Sequence, residues 1–167
     1  MIYIKKLILP LIFLCLFLFG CQKELNPLAY QERFVSAELT INEKFKATLT
    51  KDGDKFTLTL SEPSQIAGLV VEVSGDEGAI LYDDLKISVK MDEISGIYLI
   101  VNAFDLSCKD SFLLVDKGED STLIFETELA EYTLTFNSSL APYHIEICSP
   151  SCNYSIDVNG ILLRDNG

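Results

Sequence analysis

The side chains with the most chemistry to offer are Cys108, Cys148, Cys152 and the single histidine, His144. Cys148 and Cys152 flank Ser149-Pro150-Ser151, one residue too many for the CxxC spacing of a dithiol redox motif. The intervening tripeptide reads as a turn. A disulfide between Cys148 and Cys152 could close across it, leaving Cys108 free. In a reducing host all three stay thiols. Three cysteines and a histidine make a zinc donor set by count, but the spacing fits no zinc pattern and no metal is expected. His144 alternates with Tyr143 and Ile145, which places it on the solvent face of a strand. Spacing alone pairs it with no Ser, Cys or carboxylate, so no catalytic residue and no cofactor are expected. The acids of Asp52-Gly53-Asp54 and Asp83-Asp84 do not follow a calcium-loop spacing and read as turn residues. Asn137-Ser138-Ser139 and Asn153-Tyr154-Ser155 match a glycosylation pattern, a short motif that also arises by chance.

A further kind of chemistry lies at the other end of the chain. Lys5 and Lys6 precede an apolar run from Leu7 to Phe19, closed by Gly20-Cys21. The run is shorter than the roughly 20 residues a spanning helix needs, and Pro10 interrupts it. It reads as a leader that is removed. Leu18-Phe19-Gly20-Cys21 resembles the lipobox of bacterial lipoproteins. The resemblance implies cleavage between Gly20 and Cys21 and a diacylglyceryl group on the Cys21 thiol. Gly20 has no side chain, so a peptidase can approach that bond. Each methylene of an acyl chain buried in a membrane adds about 0.8 kcal/mol, so a multiply acylated cysteine is a stable anchor. The expected organisation is a signal peptide over 1–20, a lipidated tether over 21–25 and one domain over 26–167. The expected location is extracytoplasmic, on the bacterial cell membrane.

The formal charge of −12 becomes about −14 once the two leader lysines are gone. The acids are dispersed rather than clustered. Such a surface argues against nucleic acid as a partner and against lying flat on anionic lipid. About 147 residues remain, enough for one domain with a real core.

Asn26-Pro27 reads as a helix start, with Asn as cap and Pro at the first helical position, running through Arg33. From Phe34 the period is two. Val35, Ala37, Leu39 and Ile41 alternate with polar residues, as do Phe45, Ala47 and Leu49, then Phe56, Leu58 and Leu60. Short turns between such runs predict antiparallel hairpins with one apolar face. Residues 62–68 break the pattern as a loop ended by Gly68. Strands follow at 69–74, 79–82 and 85–89. In 92–105, Ile94, Ile97, Tyr98, Val101 and Phe104 fall at helical spacing, and Leu99, Ile100 and Ala103 cover much of the rest. A helix apolar nearly all round must be buried, although its β-branched residues keep a strand as the rival. Phe112 to Val115 fits either a helical extension or a strand. Strands resume at 123–127, 132–136, 143–147 and 154–158. Asn159-Gly160 reads as a hairpin turn before Ile161 to Leu163.

The fold class expected is mainly β (α+β): a single strongly curved antiparallel sheet, an open half-barrel, with a short N-terminal helix and a buried helical segment on the concave face. A closed barrel and two packed sheets are the alternatives. The stretch from Asn26 to Gln31, the strand pair from Phe34, Ser61-Glu62-Pro63 leading to Gly68-Leu69, and the later strands resemble small clostridial-type lipoproteins. Those are distantly similar to the lipoprotein carrier and sorting superfamily. The resemblance implies a half-barrel that binds an apolar ligand or lipid on its concave face, with Tyr98, Val101, Phe104, Tyr132 and Phe136 lining it. The same aromatics also fit plain core packing. Because Cys21 tethers the chain, it could receive, hold or present a ligand but not carry it far. The alternative is a non-catalytic module that binds an envelope protein, by strand addition for example.

Overall fold

The structure, a computed structural model, describes residues 30, 32–75, 77–105, 113–117, 120–138 and 141–164. The leader, Gly20, Cys21 and Cys108 lie outside them. Tyr30, Glu32 and Arg33 are helical, the end of the turn expected through Arg33. Eleven strands follow: β1 Phe34–Ile41, β2 Phe45–Asp52, β3 Lys55–Glu62, β4 Val70–Ser74, β5 Glu77–Tyr82, β6 Leu85–Lys90, β7 Leu113–Lys117, β8 Asp120–Glu126, β9 Glu131–Phe136, β10 Pro142–Cys148 and β11 Asn153–Leu163. Between β6 and β7 a 3-10 turn, Met91–Ile94, leads into helix α1, Ser95–Phe104.

All eleven strands form one antiparallel sheet in the order β6-β5-β4-β3-β2-β1-β11-β10-β9-β8-β7. The chain meanders from the centre to one edge, crosses through α1, and meanders back from the other edge. β1 and β11 meet in the middle. The sheet is open, with β6 and β7 at its two edges.

Register turns the period-two sequence into continuous apolar rows. Ile41 lies opposite Ile156, Ile156 opposite Ile145, Ile145 opposite Leu134 and Leu134 opposite Leu123. On the other side Leu49 pairs with Leu58, Leu58 with Val71 and Val71 with Ile80. These cross-strand neighbours share a face, and most are fully buried. That face is concave. Helix α1 approaches both β4 and β10, which stand five positions apart in the sheet order. Flat, they would be about 24 Å apart at about 4.8 Å per strand. A ten-residue helix is about 15 Å long and could not pack closely on both unless the sheet curled around it. The molecule is an open half-barrel with α1 in its hollow.

Leu99, Ile100, Val101, Ala103 and Phe104 of α1 are buried, and Ile94, Ile97 and Tyr98 pack against the same core. The near-uniform apolarity therefore marks a helix wrapped by sheet. The strand rival fails because the apolar positions serve two walls at once. At the far end of α1, Phe104 meets Phe34 and Tyr30 at ring-centroid separations of 5.2 and 6.4 Å, and Tyr30 meets Phe136 at 6.1 Å. Among the described residues the buried Tyr30 hydroxyl has no hydrogen-bond partner, and burial pushes its pKa well above the ordinary value.

One open alternative is decided and one local expectation is corrected. Of the two forms the sequence allowed for Phe112 to Val115, the described part takes the strand, within β7, Leu113–Lys117. Asn159-Gly160 is no hairpin turn: β11 runs unbroken through it. Gly160 pairs with Glu38 and Val158 with Leu39, so Asn159 is the extra residue of a bulge. Its amide donates to the Thr40 hydroxyl at 2.7 Å. The acidic turns are as expected: Gly53 and Asp54 link the pair Asp52 and Lys55, and Asp83 and Asp84 link Tyr82 and Leu85. Among the described residues no helix is long and apolar enough to cross a membrane.

Candidate functional site

The hollow of the sheet is not filled evenly. Where the chain enters α1, a cavity of about 280 Å³ lies between the helix and the ends of β1, β2 and β3. Its walls come from Ile41, Phe45, Leu58 and Leu60 on the sheet, Ile66 on the 62–68 loop, Ile94, Gly96, Ile97 and Ile100 on the helical side, and Tyr154 on β11. Glu93 and Ser95 border it as well, and both are exposed. The volume sits at the low edge of the usual range for small-molecule pockets, about 300–1,000 Å³. Apolar walls with polar groups few and peripheral suit a slender apolar ligand rather than a charged one.

Each wall has a local cause. The 62–68 loop is pinned by Gly68, whose positive φ of 86° lets its N–H reach the Leu60 carbonyl at 2.8 Å. Glycine takes that backbone without a Cβ penalty. This turns Ile66 toward the cavity. On the helical side, the Glu93 carboxylate accepts the Lys90 N–H at 2.9 Å, fixing the turn that delivers Ile94. Ile94 spans the wall: its Cδ1 also lies 3.0 Å from where a Cβ on Gly78 of β5 would stand. Gly96 admits the closest approach, since a Cβ there would collide with the Tyr154 hydroxyl.

Behind Tyr154 is Cys152, itself packed against the core. The turn after β10 is held by Ser149, whose hydroxyl donates to the Cys152 carbonyl at 2.7 Å and accepts the Cys152 N–H at 3.0 Å. The same hydroxyl lies 3.3 Å from Cys152 Sγ. That contact, ahead of the Tyr154 and Ser151 hydroxyls and against burial, holds the Cys152 thiol below its usual range. Burial first, and then the sulfur, pushes Tyr154 up to about 12. The bridge anticipated between Cys148 and Cys152 is absent, and both thiols are free. Cys148 is exposed at the end of β10 while Cys152 turns toward the core, so the two side chains leave the hairpin on different faces.

The five residues expected to line a ligand are placed elsewhere. Val101, Phe104, Tyr132 and Phe136 are buried in the closed part of the core, and Tyr98 packs against it; none of the five borders the cavity. Phe125 and Tyr132 stack at 4.5 Å. These side chains sit where packing is complete, while the cavity falls to residues near strand ends, the loop and the helix start, aliphatic for the most part but including the rings of Phe45 and Tyr154. His144 is on the outer face, with Nδ1 2.8 Å from the Asp157 carboxylate and Nε2 3.8 Å from that of Glu146. The Asp157 contact is a cross-strand neighbour fixed by the β10–β11 register, which no spacing along the chain could reveal.

The chain is similar to several solved structures, among them these three. One is an uncharacterized conserved protein from Thermus thermophilus, at TM-score 0.48 and 11% identity over 79% of this chain and 78% of that one. The second is the Mycobacterium tuberculosis lipoprotein LppX, at 0.45 and 12% over 84% and 93%. The third is a LolA superfamily protein from Nitrosomonas europaea, at 0.43 and 10% over 84% and 92%. No family model and no curated protein matches.

Proposed function

We propose that this chain is a lipid-anchored, extracytoplasmic binding protein that holds one apolar chain, such as a single acyl tail, in the cavity beside α1. The observation that carries this reading is the cavity itself, about 280 Å³ with mostly apolar walls beside the start of α1. The role is binding and presentation, without a catalytic step assigned to His144 or Cys152. The lining residues of this cavity include Leu58, Leu60, Ile66, Ile97 and Ile100, a different set from the five positions expected along α1 and the later strands.

A dansyl-labelled fatty acid tests it. Binding to the full chain should blue-shift and brighten the probe's emission, and Ile66→Trp should weaken binding at least about tenfold, the equivalent of about 1.4 kcal/mol. Ile66 is only half-buried on a loop, so the larger ring fills the cavity with little demand on the core. Equal binding by both proteins would remove the cavity from the account.

The anchor rests on Leu18-Phe19-Gly20-Cys21 and has its own check. Cys21→Ser should leave the leader uncleaved and abolish metabolic labelling with radioactive palmitate. Retained labelling, or an unchanged mature N-terminus, would sink the lipid anchor while leaving the cavity reading intact.

A further inference from the structure

The concave face is covered by α1 in its middle but not at the β6 edge. There Tyr82, Leu85 and Ile87 are 39%, 59% and 46% exposed, and the register Tyr82↔Leu85 and Ile80↔Ile87 puts all three on one face. Every residue of β6 is exposed except the half-buried Val89, and among the described residues no strand pairs with its outer side. The unpaired N–H and C=O groups of an edge strand can accept another strand, and the charges of Lys86 and Lys90 on this six-residue edge restrict which strand that can be.

The sequence of β6 with the preceding turn residue, Asp84-Leu85-Lys86-Ile87-Ser88-Val89-Lys90, is complementary to itself when reversed. With Ile87 on a two-fold axis, Leu85 falls opposite Val89, Lys86 opposite Ser88 and Asp84 opposite Lys90. All apolar pairs then share the concave face, and each end carries an ion pair. An axis on Lys86 sets Lys86 against itself. An axis on Ser88 sets Lys86 against Lys90. An axis between residues pairs side chains from opposite faces. Like charges directly opposite are unfavourable, so of the central positions only Ile87 works. Lys86 already reaches Glu72 of its own chain at 3.5 Å and needs no partner across the axis.

We infer that two copies of this chain join edge to edge through β6, antiparallel and centred on Ile87, to make one continuous sheet with a shared apolar concave rim. This is an isologous interface, the same patch used on both sides.

Full-length chain in the membranes of producing cells provides the test, with the unsubstituted chain as the crosslinking baseline. In Ile87→Cys the two Cα atoms lie about 4.5–5.5 Å apart across the axis, inside the disulfide range of about 4.4–6.8 Å. Mild oxidation should give a reducible dimer band. In Leu85→Cys the two thiols are four residues apart along the strands, about 13 Å, and should give no band above baseline. Lys90→Glu in the Ile87→Cys background should lose most of the band, and adding Asp84→Lys should restore it. That restoration excludes misfolding as the cause of the loss. No band at Ile87→Cys, equal bands at both positions, an adduct to a different protein, or a loss that the charge swap does not repair would each overturn the interface.

Discussion

Phe104→Ala is expected to lower the free energy of unfolding by about 3–5 kcal/mol, the range for removing a buried Phe from a core. The ring is fully buried and closes the C-terminal end of α1 against Phe34 on β1 and Tyr30 before it. Its surroundings cannot collapse into the space cheaply. Phe34 is held by the pairing of β1 with β11, and Phe136, which meets Tyr30, is held on β9. Domains are stable by only about 5–15 kcal/mol in total, so the variant should sit near the edge of folding. Urea denaturation checks it: the midpoint should fall with the slope unchanged. A loss under about 1 kcal/mol would mean that the helix is not anchored at this end. Phe104→Leu keeps most of the volume and should cost much less.

The strands were legible because a sheet with one buried face writes its register into the sequence. Ala37, Leu39 and Ile41 alternate with exposed or half-exposed residues whichever strands lie beside them. The helix was legible for the opposite reason: apolar positions on almost every side are what a segment enclosed by sheet requires. What could not be read depends on pairs far apart in the chain. Asn159-Gly160 has the chemistry of a hairpin turn, but Thr40, 119 positions away, holds Asn159 in a bulge. Phe112 to Val115 has no period of its own, and the strand conformation of its described part is settled by β8 alongside.

The site was harder still. Ranking candidate ligand contacts by aromatic content selects the residues that pack most completely, and Tyr132 and Phe136 went to the core. The cavity arises where three strand ends, a loop and a helix start fail to meet. Ile41, Phe45, Leu60 and Ile66 share no spacing in the sequence. Gly96 was the readable signal. A glycine within an otherwise apolar helix is unfavourable by about 1 kcal/mol relative to Ala, and a close approach by another group is the usual reason to keep one.

Gly96→Ala turns that reason into a sign test. By helix propensity alone the change should stabilise the protein. The added methyl, however, would strike the Tyr154 hydroxyl, with the ring carbon Cζ next at 3.3 Å. Overpacking of this kind costs about 1–3 kcal/mol, so a net loss is expected by thermal or urea unfolding. Tyr154→Phe removes the obstructing oxygen at the expense of its hydrogen bond with Cys152, about 0.5–1.5 kcal/mol. The double variant should therefore be more stable than the two single losses predict, with a coupling of about 0.5–3 kcal/mol. Both residues border the cavity. If the strain is relieved by lifting the start of α1, Gly96→Ala should also change the affinity for the dansyl fatty acid, and Tyr154→Phe should return it toward the original value. A Gly96→Ala protein more stable than the parent would show that α1 does not rest on Tyr154, and the cavity wall would need a different support.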